Sequence, residues 1–342
     1  MTTGAHVESI AVPHQQTYAE GPFPLVLRQS SGHVSVAETL AWFACHRTRL
    51  TQQAETLGAV LLRGFFSAAS ADAFDACVGA LKYANFAYHR SLSNAVRVNC
   101  TDRVFTANEA PADVTIFLHH EMAQTPIHPS KLVFFCERPA DTGGATPICR
   151  SDRLLKQLET DAPDFVAACC SKGLRYTNVM PPQVDLASGM GRSWQSTLSA
   201  STRDEAEKRL SQLKYTWCWL PDGALRVTTP VLPAVRESSS GRRSFFNQLI
   251  AASHGWKDRR NDPAKSITYG DGSPLDREGV ALAARLAEEF TFDVEWEPGD
   301  VAIIDNYLTM HGRRRFTGHR RVLASLVADE SDLSQSTKPT LP

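Results

Sequence analysis

The sequence has no apolar run approaching the roughly 20 residues that a membrane-spanning helix requires, which argues against a helical membrane protein. It has no surplus of charge: 36 Lys and Arg stand against 37 Asp and Glu, for a formal net charge of −1. A general affinity for nucleic acid or for an anionic membrane surface is therefore not expected, although that balance still allows a local basic patch. The eight cysteines show no CxxC spacing. A thiolate metal site and a disulfide framework are both poor readings for a chain of this size, and reduced, mostly buried thiols in a cytoplasmic protein are expected. Met1 to Leu25 has no basic start leading into an apolar stretch, so no secretory signal is read there. No internal repeat or low-complexity tract is present.

What the chain does have is apolar material for a large core, at 342 residues and 42% hydrophobic composition. That points to a single domain over 21–328, between a polar, loosely attached segment 1–20 and a polar, flexible tail 329–342. Ser35 and Glu38 have the form of a capping box before a helix running from Val36 to Leu57, and Ser70 caps a second helix through Leu81. Between them Ala59–Leu62 reads as a short strand. The core strands start near Phe105 and include Leu132–Cys136, apolar throughout and so covered on both faces. Two short helices follow, Asp152–Leu158 and Ala162–Cys170. Residues 178–213, with Pro181-Pro182, Gly189, Gly191 and a charged helix from Thr202 to Leu213, read as an insert and a candidate active-site lid, or else an inert surface excursion. Strands return at Tyr215–Leu220 and Leu225–Thr229, joined by the turn Pro221-Asp222-Gly223, and at Ser244–Phe246. After a helix from Asp276 to Phe290, further strands are read at Phe292–Trp296, Val301–Ile304 and Arg320–Val327. The pattern is mainly β with helical decoration, a sandwich or barrel.

His119-His120-Glu121 is the cluster that carries chemistry. On a strand, residues i and i+2 share a face, so His119 and Glu121 project together and His120 points away. Alone, such a pair is weak and compatible with any divalent metal or none. His311 adds to it: it follows the buried Val301–Ile304 run and Asp305-Asn306, at a reach suited to the mouth of a barrel, and Gly312 after it lets the backbone pass close to a bound group. Two imidazoles and one carboxylate leave half an octahedron open, which suits non-haem Fe(II) that must bind a co-substrate and O₂ together. One of the adjacent strand arginines Arg320-Arg321 must face inwards, and Arg321 is taken as that one. Its guanidinium fork suits the far carboxylate of a small chelating diacid. Thr146, in the turn Gly143-Gly144-Ala145-Thr146-Pro147, offers a hydroxyl to the same carboxylate. Each of these features also has a plain reading, a solvated basic edge strand and an ordinary turn.

Together the pieces resemble the taurine-dioxygenase/clavaminate-synthase-like family of Fe(II)/2-oxoglutarate oxygenases, and within it the SyrP-like branch. The resemblance runs from about Gly58 to Val327. It rests on Val60–Phe65, Leu118–Met122, Phe134–Cys136, Gly143–Pro147, Phe246–Gln248, Tyr269–Gly272, Gly299–Val301, Asp305-Asn306 and His311–Arg313 with Phe316, Gly318, Arg320 and Arg321. It implies a double-stranded β-helix (jelly roll), with His119, Glu121 and His311 as iron ligands and Arg321 and Thr146 as the 2-oxoglutarate anchor; Fe(II), 2-oxoglutarate and O₂ are the implied cofactors. Two positions depart from the branch: His120 stands where Asn is usual, and Ser325 where relatives often carry a further arginine. Because Glu121 fills the position that halogenases leave vacant, halogenation is disfavoured.

The activity expected is hydroxylation of an unactivated C–H bond, at the β-carbon of a free or carrier-bound amino acid or amino-acid-derived metabolite in secondary metabolism. A peptidyl carrier protein is the candidate partner. Asn108, Tyr176 in the segment Tyr176–Met180, and Asn247 are candidate pocket residues. Arg226 and Arg313 are cations that could meet a substrate carboxylate or stand solvated at the surface. The alternatives are desaturation or cyclisation at the same iron, a catalytically silent 2-oxoglutarate-binding protein, and a cupin-like zinc protein.

Overall fold

The strand Val301–Asp305 is buried at all five positions, so both of its faces must be covered. It lies inside the main sheet, hydrogen-bonded to Ala59–Arg63 on one side and Lys131–Arg138 on the other. The computed structural model describes residues 6–328, apart from 33, 68, 89–90, 186–187, 189, 239–240, 256–259 and 261–265. The expected tail 329–342 and residues 1–5 lie outside the described residues. The main sheet runs Val7–Ser9, Leu25–Gln29, Ala59–Arg63, Val301–Asp305, Lys131–Arg138, Arg321–Ala328, Ala84–Asn85, with Phe105–Thr106 also paired to Arg321–Ala328. A second, antiparallel sheet has the order Thr291–Val294, Thr146–Arg150, Thr309–Arg313, Ile116–His119.

Strand parity builds the layers. Val60, Leu62, Val133, Phe135, Val301 and Ile303 face the helices Val36–Leu57 and Ala71–Leu81, in a cluster with Phe43 and Phe74. The intervening positions, among them Phe134, Ala302, Ile304 and Ala324, pack instead with Ile148, Phe292 and Val294 of the second sheet. Cys149 and Met310 of that second sheet face outwards, under the helices Ser151–Asp161, Pro163–Lys172 and Arg277–Glu289. The result is a β-rich core of two facing sheets with helices outside each. No helix among the described residues is long and apolar enough to cross a membrane.

The capping box at Ser35 is formed on both sides, with Glu38 N–H donating to Ser35 Oγ at 3.2 Å and Ser35 N–H to Glu38 Oε2 at 2.9 Å. Two expectations change. The described part of the segment 1–20 is not loose: Val7–Ser9 pairs with Leu25–Gln29 and Gln16–Tyr18 with Gly21–Phe23. The insert 178–213, read as a candidate lid or an inert surface excursion, is packed in its described residues. Its first residues complete the strand Leu174–Met180, which pairs with Leu225–Thr228 and Ile267–Tyr269. Its helices Trp194–Leu198 and Arg203–Gln212 bury Trp194, Leu198, Ala206 and Leu210 in the same cluster as Leu225 and Val227. It forms a packed wall.

Phe135 is fully buried, stacked on Phe74 with ring centroids 5.1 Å apart and edge-on to Phe66 at 5.5 Å. Phe135→Ala is expected to lower unfolding stability by about 3–5 kcal/mol, measured by denaturant titration. Because the ring sits on the helix side of the sheet, metal binding by the folded variant should be unchanged.

Candidate metal centre

His119 and His311 are cross-strand partners: the register of Ile116–His119 against Thr309–Arg313 sets them opposite each other. Their rings lie 4.4 Å apart, and Phe134 of the main sheet closes on His311 at 5.4 Å, so the centre lies between the two sheets. His311 was expected at the end of a short connection from Ile304; it is in mid-strand, and pairing rather than loop reach brings it to His119. Gly312 serves that pairing. A Cβ there would lie 2.4 Å from the carbonyl oxygen of Ile116, so the glycine admits the neighbouring strand rather than a bound group.

Glu121 is held differently from the expectation. The strand ends at His119, and the chain turns through Met122, whose φ is 59°. Strand alternation therefore does not aim Glu121. The carboxamide of Asn306 does: its oxygen accepts from Glu121 N–H at 2.8 Å, and its nitrogen donates to the carbonyls of Glu121 (3.0 Å) and Pro129 (2.8 Å). His119, Glu121 and His311 then each offer a ligand atom within 4.8 Å of the others.

The donor chemistry fits a divalent ion. His119 Nδ1 lies 2.8 Å from the Phe117 carbonyl, which can only accept, so Nδ1 carries the proton and Nε2 keeps its lone pair for a metal. Burial, with His311 next, lowers the His119 pKa to about 4, which keeps the imidazole neutral as a ligand must be. His311 Nε2 stands 3.6 Å from Glu121 Oε2, and its Nδ1 is buried without a partner. Arg97 is the residue that the sequence reading missed. Its Nη2 is 3.0 Å from each oxygen of Glu121, and it lies over the rings of Tyr88 (4.8 Å) and Phe105 (5.1 Å). Burial by itself would push the Glu121 carboxyl up; Arg97, then His311 and His119, bring it well below the usual carboxylate range. No periodicity or motif links position 97 to position 121, so nothing in the sequence signalled the pair.

His120 faces the other way. Its Nδ1 donates to the Asn306 carbonyl at 2.5 Å, its Nε2 lies 2.9 Å from Ser151 Oγ, and Phe246 packs against the ring. The side chain has no solvent exposure, and burial brings its pKa down to about 3. It braces the Asn306 loop from behind the metal centre and lines neither of the cavities there.

Beside the triad a small pocket of about 40 Å³ is lined by Thr146, Arg313 and Arg320 together with His119, Phe134 and His311. Here the arginine assignment is corrected. Arg320 points in: its Nε donates to the Gly144 carbonyl at 2.8 Å and its Nη2 lies 3.3 Å from Thr146 Oγ1, which also accepts from Trp296 Nε1 at 3.0 Å. Arg321 points out, half exposed, and pairs with Glu137. Arg320 continues the inward parity of Val322, Ala324 and Leu326. Because Val322–Ala328 is apolar on both faces, the sequence could not say which arginine shares it. Arg320 makes no ion pair among the described residues, and burial, with Arg313 next, lowers its pKa to about 10.

A larger cavity of about 790 Å³ shares His119 and Arg97 with that pocket and also reaches Glu121, Asn108, Gln124 and Asp185. Of the candidate pocket residues, Asn108 lines both cavities. Tyr176 lines a separate small chamber, with its hydroxyl accepting from Gln248 N–H at 3.2 Å. Asn247 is corrected: it is wholly buried, donates to Ala234 O and accepts from Leu249 N–H, and faces no cavity there. Arg313 is buried, and its guanidinium is occupied by the carbonyls of Ala110 (2.8 Å), Pro111 (2.6 Å) and Val114 (2.9 Å), so it fixes that loop at the pocket wall. Arg226 is exposed.

Residues 22–326 match the family model described as taurine catabolism dioxygenase TauD, TfdA family. The chain belongs to the TauD/TfdA family. It is 38% identical to a clavaminate synthase-like protein of Arabidopsis thaliana over 321 residues, 92% of this chain and 96% of that one. It is 30% identical to the dapdiamide synthesis protein DdaC of Enterobacter agglomerans over 288 residues, 79% of this chain and 82% of the other. Its fold is similar to that of asparagine oxygenase solved with Fe(II), 2S,3S-3-hydroxyasparagine and succinate (TM-score 0.51, 16% identity, covering 89% and 87% of the two chains). As a TauD/TfdA member with an intact His-Glu-His set, the protein is an Fe(II)/2-oxoglutarate-dependent oxygenase.

Removing the Arg97 charge leaves burial to act on Glu121 and so raises its carboxyl pKa. A proton then competes with the metal at higher pH. In Arg97→Gln, the pH at which Mn(II) binding is half lost is expected to move upwards from wild type, read by metal titration across a pH series.

Proposed function

We propose that the enzyme hydroxylates an unactivated C–H bond, at the β-carbon, of a free or carrier-bound amino acid or amino-acid-derived metabolite in cytoplasmic secondary metabolism. The observation that carries this reading is the cavity of about 790 Å³ beside the triad, whose wall mixes the cation Arg315 with the carboxylate Asp113. A zwitterionic substrate meets both signs there. A peptidyl carrier protein would present its cargo through the same mouth. The reading draws support from the relative named for dapdiamide synthesis and from the fold shared with an asparagine oxygenase. We take the two facing sheets to be a double-stranded β-helix.

In this scheme His119, Glu121 and His311 hold Fe(II), which together with 2-oxoglutarate and O₂ supplies the oxidant for the C–H bond. Arg320, in place of the expected Arg321, grips the far carboxylate of 2-oxoglutarate with both oxygens, and Thr146 donates its hydroxyl to it. The Thr146 oxygen is already engaged by Trp296 and Arg320, which leaves its proton for that role. Arg97 keeps the Glu121 carboxylate ionised and fixed in direction. Phe134 and the wall made by the insert exclude water from the reacting side.

Arg320→Ala should raise the KM for 2-oxoglutarate by about 30-fold or more, the equivalent of some 2 kcal/mol for a buried charge pair, whereas Arg321→Ala should leave it near wild type. Succinate formation reports both. The opposite ranking would overturn the anchor assignment. Glu121→Ala should abolish the visible band that forms when Fe(II) and 2-oxoglutarate are added anaerobically, and retention of full turnover would contradict the triad.

A further inference from the structure

Arg97 and Asn108 line both the pocket beside Arg320 and the larger cavity. With Ile116 and His119 they stand where the two spaces meet, against the metal centre. Neither residue is fully used by the protein.

The guanidinium of Arg97 serves Glu121 through one nitrogen, Nη2, which is 3.0 Å from each carboxylate oxygen. Its other nitrogens meet no acceptor among the described residues. Of these, Nε is enclosed by protein, whereas Nη1 keeps accessible surface. The side chain is only 6% exposed, so that surface belongs to the cavity wall and not to the outside of the molecule. The group is also held in place. It lies over Tyr88 and Phe105, and the Tyr88 hydroxyl ties the same loop by donating to the Ala95 carbonyl at 2.6 Å. Asn108 is fixed in a similar way: its Oδ1 accepts from Ala110 N–H at 2.6 Å, which sets the orientation of the amide and turns Nδ2 away from that bond. Nδ2 has no acceptor among the described residues and is not enclosed. On the wall of the larger cavity Gln248 does the converse. Its Nε2 donates to the His120 carbonyl at 3.0 Å, which leaves Oε1 as an acceptor.

We infer that Arg97 Nη1 and Asn108 Nδ2 form the subsite for a carboxylate on the substrate, with Arg97 as the specificity-determining residue. A carboxylate brings two oxygens to two donors and a charge to a buried cation. An ammonium group would be repelled by Arg97, and a neutral end would leave its charge unmet. Glu121 is the counter-charge that Arg97 already has, and a metal drawing on that carboxylate leaves room for a second anion. A carboxylate on Nη1 lies beside Glu121, so the carbons next to it are the ones brought before the metal. That suits oxidation one or two bonds from the carboxyl carbon, with Gln248 Oε1 placed to accept from a substrate N–H. Two sources share this chemistry: the α-carboxylate of a free amino acid, and the side-chain carboxylate of an acidic residue held as a thioester. The inference deepens the amino-acid hydroxylase reading and rests on it.

The test titrates the Fe(II)- and 2-oxoglutarate-loaded enzyme anaerobically with L-aspartate, L-asparagine, L-lysine and L-leucine. Each is offered as the free acid and as its α-carboxamide, and the first two also as N-acetylcysteamine thioesters. Binding is read from the perturbation of the visible band, and coupling from substrate-stimulated succinate in air. A member with a carboxylate is expected to bind about tenfold or more tighter than its counterpart without one, as for hydrogen bonds to a charged group. Preference for a free acid over its α-carboxamide identifies the α-carboxylate; preference for the aspartate over the asparagine thioester identifies the side chain. Arg97→Lys keeps a charge for Glu121 but lacks the second branch of the fork, and Asn108→Ala does not touch Glu121. Both are expected to erase the preference, whereas a merely structural role would weaken all ligands alike and preserve it. Equal binding with and without a carboxylate, no binding by any member, or a preference that survives in both variants would overturn the inference. So would a rise in the half-saturating 2-oxoglutarate concentration with the preference intact, which would give the subsite to the co-substrate. A band that never forms in the wild type would instead refute the iron and 2-oxoglutarate reading itself.

Discussion

A carboxylate left 3% exposed between two apolar sheets must have its charge met, and much of this centre follows from how Glu121 is met. Arg97 supplies the counter-charge, Asn306 fixes the backbone on either side, and the two imidazoles complete the ring around it. Such a pair is not a gain in stability by itself, because two desolvated ions recover in mutual attraction roughly what they lose in hydration. Its value here is directional. With the Arg97–Glu121 pair in place, the carboxylate stays ionised and points towards His119 and His311, which is the arrangement a divalent ion needs.

The sheets convert that local constraint into a site with separate compartments. Pairing of Ile116–His119 with Thr309–Arg313 makes the two histidines neighbours, and Gly312 lets the strands come together closely enough for it. Arg320 and Arg313 line a small cationic pocket in which Arg320 has no ion-pair partner among the described residues. A roomier cavity of mixed charge shares His119 with it, and a chamber lined by no charged side chain shares Asn94 and Gln124 with that cavity. Two electrostatic environments thus meet at the triad, and the uncharged chamber touches none of its three ligands.

The sequence was most legible where side-chain chemistry alone decides the outcome. The capping box of Ser35 and Glu38, the doubly buried strand at Lys131–Arg138 and the hairpin around Pro221-Asp222-Gly223 are local, and each forms close to where its residues indicate. The metal triad was legible because His311, the paired arginines and Thr146 accompany a His-x-Glu pair that is weak alone. Register was not. Arg320 and Arg321 precede a strand that is apolar on both faces, so hydrophobic alternation, the usual guide to which side faces in, is silent there. Long-range partners were hidden for a related reason. Arg97 lies in an irregular stretch, and its tie to Glu121 is made by the fold alone. His120, which departs from the branch, is a fully buried brace on Asn306 and Ser151.

The most direct test of the account is a crystal structure of the protein with Mn(II) and a 2-oxoglutarate analogue such as N-oxalylglycine. The account predicts one ion bound by His119 Nε2, a single Glu121 oxygen and His311, with Arg97 still on the other oxygen. It further predicts the far carboxylate of the analogue on Arg320 and Thr146, and Arg321 outside with Glu137. An ion held by a different set of side chains, or a carboxylate gripped by Arg321, would contradict it.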